Sequence, residues 1–86
     1  MREEKRKRIR LALYAYAYEV HNNSLVSDST YDLLSRSVNL DVATDRPDLD
    51  LWFKNNYSKD TGMWIYNHPE LHKIKSLYKR ITNGSN

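Results

Sequence analysis

The chain has 86 residues, with 14 Lys plus Arg against 11 Asp plus Glu, 40% hydrophobic residues and no cysteine. A chain this short buries only about 60% of the surface its unfolded form exposes, so it makes one small domain with a modest core and little room for the deep cleft of a multi-substrate enzyme. The lack of cysteine excludes a disulfide framework, a thiolate zinc site and a cysteine nucleophile, and fits a reducing, cytoplasmic setting.

From Arg2 to about Asn22 there is no proline or glycine, and Ala, Leu, Arg, Lys and Glu dominate, which predicts one long helix. Ile9, Leu13, Tyr16 and Val20 recur at helical spacing, with Leu11, Tyr14 and Tyr18 as a neighbouring stripe, so the second half of this helix is expected to be buried on much of its girth. Leu11 to Tyr18 is also the longest mostly apolar run, far short of the about 20 residues that cross a bilayer, and no membrane partner is expected. Ser27 suits an N-cap, with Asp28 in the first turn, for a second helix reaching about Val38 and turning Tyr31, Leu34 and Val38 inward. Residues 1–38 thus read as a helical hairpin.

Residues 39–86 read as an aromatic-rich helical extension. Pro47 opens a short helix to about Asn56 that carries Leu49, Trp52 and Phe53 on one side. Ser58 to Gly62 is a turn, and Met63-Trp64-Ile65-Tyr66 reads as an irregular apolar plug. Asn67 or His68, followed by Pro69 and Glu70, starts a last helix with Leu71, Ile74, Leu77, Tyr78 and Ile81 on its apolar face, and Asn83 to Asn86 reads as a frayed tail. The expected class is all-α, a helical hairpin plus two shorter helices in one domain.

Charge is segregated along the chain. Residues 1–10 hold six bases against two acids, residues 19–50 hold seven acids against two bases, and residues 71–86 hold four bases and no acid. A polyanion could use the basic ends through Arg6, Lys7, Arg10, Lys75, Lys79 and Arg80, since each neutralised phosphate releases counterions; solvated helix faces are the plainer reading. Catalytic templates are missing. In His68-Pro69-Glu70-Leu71-His72 the glutamate stands one place later than a zinc-protease helix needs, and neither a metal nor a catalytic residue is expected. Two glycines cannot build a phosphate-cradling loop.

One constellation has chemical content. Asp28 and Asp32 are four apart on one helix face, Tyr31 is next to Asp32, and the hairpin can bring Tyr18 close to them. Two aromatic faces and two carboxylates suit a flat, electron-poor ring whose amide or sugar hydroxyls donate hydrogen bonds. The structural alternative makes Tyr18 and Tyr31 hairpin core, Asp28 a first-turn charge and Asp32 a solvated one.

Tyr16-x-Tyr18-x-Val20, the loop from His21 to Ser27, and Asp28-x-x-Tyr31-Asp32-x-Leu34 together resemble the N-terminal helical subdomain, often called Ia, of bacterial NAD-dependent DNA ligases. The resemblance covers roughly residues 9 to 38. It implies binding of the nicotinamide mononucleotide (NMN) half of NAD, with Tyr18 and Tyr31 around the nicotinamide ring and Asp28 and Asp32 on its amide and ribose side. Glu19 stands where the family usually carries His or Tyr, and its carboxylate would repel the phosphate. No Lys-x-Asp-Gly adenylation motif occurs, so the implied role is a non-catalytic module, in a bacterial or phage-infected cytoplasm, that binds NAD or NMN. A second reading is an interaction protein gripping a host protein with Trp52, Phe53, Tyr57, Met63, Trp64 and Tyr66. A third is a nucleic-acid binder using the basic ends.

Overall fold

The computed structural model describes residues 2–83 and folds them into four α-helices and one short 3-10 helix. In chain order these are α1 (Arg2–His21), α2 (Asp28–Ser37), α3 (Pro47–Asn56), the 3-10 helix Met63–Asn67, and α4 (Leu71–Asn83). The chain is all-α, with no strand among the described residues. Gly84, Ser85 and Asn86, most of the expected frayed tail, lie outside them, whereas Asn83 closes α4.

Local chemistry sets the helix ends. α1 stops at Asn22, which takes the left-handed backbone with φ of 51° while its N–H donates to the Tyr18 carbonyl at 3.0 Å. Asparagine tolerates that conformation better than most side chains, and the bond satisfies a carbonyl the helix would otherwise orphan. Ser27 caps α2, its hydroxyl accepting from the Thr30 N–H at 3.2 Å. Pro47 opens α3, where its missing N–H costs nothing.

α2 runs antiparallel to α1, since Lys7 near the start of α1 donates to the carbonyl of Ser37 at the end of α2. α4 runs in the same direction as α1: Ile74 and Leu77 lie with Arg8 and Ile9, while Tyr78 meets Tyr16 and His21 further along. The core joins Leu11, Ala12, Ala15 and Tyr16 of α1 to Phe53, Trp64, Ile65 and Ile74. Tyr31, Leu34 and Val38 pack against it, as their spacing implies. Burial on α1 departs from the two apolar stripes. Residues 11–13 and 15–17 are buried almost all round, whereas Ile9 and Val20 keep 41% and 43% of their surface. Ala12, Ala15 and Ala17 let neighbouring elements approach the backbone, so the small residues rather than the outer aliphatics form the seam.

The apolar plug at Met63 is regular structure, a turn and a half of 3-10 helix that sends Trp64 and Ile65 inward. The indole N–H of Trp64 is sealed from solvent without a hydrogen-bond partner among the described residues. Such an orphan costs about 1–3 kcal/mol, offset here by ring contacts to Trp52, Phe53 and Tyr57.

α4 begins two residues later than the His68-Pro69 signal suggests, after a turn that His68 holds while closing the 3-10 helix. The His68 Nδ1 accepts from the Glu70 N–H at 3.0 Å, which places the ring proton on Nε2. Burial among Trp52 and Phe53 pushes the imidazole below its ordinary 6.5, and the Glu70 charge only partly opposes this. A neutral, depressed histidine contributes stability that is fully present above the unfolded value and is lost as pH falls through the folded one. We therefore expect resistance to urea to drop below about pH 6.5, the unperturbed histidine value, and His68→Asn, which keeps an acceptor for the turn, to flatten that part of the profile. An unchanged profile in the variant would assign the acid sensitivity elsewhere.

Candidate functional site

The hairpin, the loop after α1 and the turn before the 3-10 helix enclose a cavity of about 320 Å³. Tyr18 and Glu19 reach it from the last turns of α1, Asp28 and Tyr31 from the first turns of α2, and Asp60 and Gly62 from the turn. Gly62 lies within one side-chain contact of α1. A Cβ added to it would sit 3.4 Å from both the Ala15 Cβ and a Glu19 carboxylate oxygen, so the turn lies directly against α1. Tyr66 ties down the same region by donating from its hydroxyl to the Glu19 carbonyl at 2.9 Å.

Three of the four residues singled out by spacing meet in this cavity. Tyr18 is 55% exposed, Asp28 is exposed, and Tyr31 is half-buried against the core. Burial pushes the Tyr31 phenol up to about 12, with the Glu19 charge adding to the effect, so it stays a neutral donor at any physiological pH. Asp32 is a correction. It does not line the cavity, and its carboxylate pairs at 3.2 Å with Arg36 one turn further along the exposed side of α2. An i,i+4 partner is present in the sequence, and Asp32 lies outside the cavity that the other three residues line.

The cavity wall contains residues that sequence spacing could not supply. Asp60, Thr61 and Gly62 lie more than forty residues beyond Tyr18 and Glu19, and the close approach of Gly62 to α1 brings them in. With Glu19, Asp28 and Asp60, the lining holds three carboxylates and, among the described residues, no Lys or Arg, although Asp60 pairs with the neighbouring Lys59 at 3.3 Å. Its field favours cations and opposes phosphate.

Of the aromatic anchors considered for a partner protein, Phe53 and Trp64 are core, Trp52 and Tyr57 are half-buried against it, and only Met63 and Tyr66 are exposed. The basic ends are also divided. Lys7 is tied to Glu4 at 3.0 Å and to the Ser37 carbonyl, whereas Arg6, Arg10, Lys75, Lys79 and Arg80 are exposed and form no ion pair among the described residues. His21 stacks on Tyr78 with centroids 4.5 Å apart and His68 accepts from the Glu70 N–H in the turn before α4, so both of these imidazoles have a structural use. No helix among the described residues is long and apolar enough to cross a membrane. The chain matches no protein-family model, no curated protein and no solved structure.

Proposed function

We propose that this chain is a small non-catalytic binding module that holds the nicotinamide end of NMN or NAD in the cavity between α1 and α2. The observation that carries the reading is the convergence of Tyr18, Asp28 and Tyr31 on one cavity. Its volume of about 320 Å³ matches the lower end of ligand sites, about 300–1,000 Å³, and suits a ring and sugar rather than a whole dinucleotide. The tyrosines offer faces to the ring, and Asp28 accepts from the amide or the ribose hydroxyls. Glu19, Asp28 and Asp60 attract the positive charge of the oxidised pyridinium, which the tyrosine faces also favour. They repel phosphate, so the phosphate stays at the mouth in solvent. Asp32 has no part in this reading.

Titration of isotope-labelled protein with NMN and NAD is expected to give saturable amide shifts at Tyr18, Glu19, Asp28 and Tyr31, absent with AMP and weaker with reduced nicotinamide. Tyr18→Ala should lower the affinity by about tenfold while leaving the melting temperature unchanged, because that ring is more than half in solvent. Asp32→Asn should change neither. Absence of shifts at millimolar oxidised nucleotide would overturn the assignment.

A further inference from the structure

A second cavity of about 190 Å³ lies on another part of the molecule, between the first half of α1, α3 and the start of α4. Its floor is apolar, from Ile9, Leu49, Phe53, Ile74 and Leu77. Unlike the first cavity, its lining holds cations, Lys5, Arg8, Arg46 and Lys73 beside Asp50 and Glu70, with Glu4, Asp45 and Asp48 paired to three of them from outside the lining. These cations are not equivalent. Arg8 is committed to Glu4, Asp50 and two backbone carbonyls, and Arg46 is clamped by Asp48 and Glu70. Lys5 and Lys73 hold only surface pairs, to Asp45 at 3.0 Å and Glu70 at 3.3 Å, of the kind that contribute little and exchange readily. His68 adds a neutral donor. Its side chain lines the cavity and is nine-tenths buried, its Nδ1 is occupied by the Glu70 N–H, and its Nε2–H has no partner among the described residues.

We propose that this cavity binds a compact apolar monocarboxylate, aromatic or branched-chain, with its hydrocarbon on the floor and its carboxylate drawn to Lys5, Lys73 and the Nε2–H of His68. The small volume excludes a nucleotide, and the apolar floor disfavours a fully hydrated anion such as inorganic phosphate. Two lysines that can exchange their surface partners and a buried N–H donor, set over an apolar floor, select one amphiphile: a body that gains by leaving water, and a head that gains charge-assisted hydrogen bonds.

Benzoate is the probe, with benzyl alcohol and benzylamine as neutral and cationic versions of the same ring. Benzoate should give saturable shifts of the Ile9, Ile74 and Leu77 methyl groups and the His68 ring, with affinity about tenfold above benzyl alcohol, and benzylamine should give none. The double variant K5Q/K73Q changes exposed side chains and should fold normally. It is expected to lower benzoate affinity by about tenfold while leaving benzyl alcohol unaffected. Benzoate binding no tighter than benzyl alcohol, undiminished in K5Q/K73Q, or absent altogether would each overturn the proposal.

Discussion

Arg8→Met is expected to destabilise the protein by about 3–5 kcal/mol, the cost of stranding partners when one member of a buried ion network is removed. Arg8 is 4% exposed although it lies in the most highly charged stretch of the chain. Its Nε donates to Glu4 at 3.2 Å, one terminal nitrogen donates to Asp50 at 2.8 Å, and the other donates to the carbonyls of Asn39 and Val42 at 2.9 and 3.0 Å. The guanidinium also lies 5.7 Å from the centre of the Phe53 ring. Methionine restores volume but no donor, leaving two carboxylates and two carbonyls short of a partner. Desolvation works to raise the Asp50 carboxyl, but hydrogen bonds from Thr44 and the Arg8 charge outweigh it and hold the group below its ordinary value. Lysine should rescue poorly, because a single ammonium cannot span four acceptors that a planar fork spaces apart. A small domain has only about 5–15 kcal/mol of stability, so the urea midpoint should fall by a large fraction. The loss should shrink in Arg8→Met with Asp50→Asn relative to the sum of the singles, since the two share one network. A loss below about 1 kcal/mol would mean that water reaches the network and that Arg8 behaves as a surface cation.

That network also marks where the sequence stops being informative. The bounds of α1, α2 and α3 were legible because each has a local chemical cause: Ser27 before Asp28, Pro47 at a first turn, an uninterrupted Ala- and Leu-rich run in α1. The hairpin half of the candidate site was legible for the same reason, since helical spacing and a short loop place Tyr18, Asp28 and Tyr31 together. Partners distant in sequence were not. Glu4 and Arg8 count as surface charge until Asn39, Val42 and Asp50 are folded over them, thirty-one or more residues away from Arg8. Asp60 and Gly62 likewise join the site only through packing, and Asp32 leaves it for a local pair that composition cannot rank against a ligand. The 3-10 helix fell between two templates, too short for α periodicity and without the alternation of a strand.

Ile65→Ala is the second large effect, expected to cost about 2–5 kcal/mol, the range for emptying a filled aliphatic site in a core that collapses only partly. Ile65 has no exposed surface and lies in the cluster that joins α1, α3 and α4. Its backbone is held on both sides, the Ile65 N–H donating to Gly62 at 3.1 Å and its carbonyl accepting from His68 at 3.1 Å, so the chain cannot simply settle into the void. Met63→Ala, two residues earlier in the same 3-10 helix but 61% exposed, should change stability by less than about 0.5 kcal/mol. The contrast separates a plug from a surface anchor, because a partner-binding segment would tolerate Ile65→Ala and lose its function with Met63→Ala. The plug also bears on the first cavity. It follows directly on the turn that sets Gly62 beside Ala15 and Glu19, so, on the function proposed above, loosening Ile65 should weaken NMN binding even with Tyr18, Asp28 and Tyr31 intact. Thermal melts and NMN titrations of the two variants read both effects. Equal losses of stability in Ile65→Ala and Met63→Ala would show that the 3-10 helix is not the wedge its burial implies, and that the cavity wall is held by the hairpin alone.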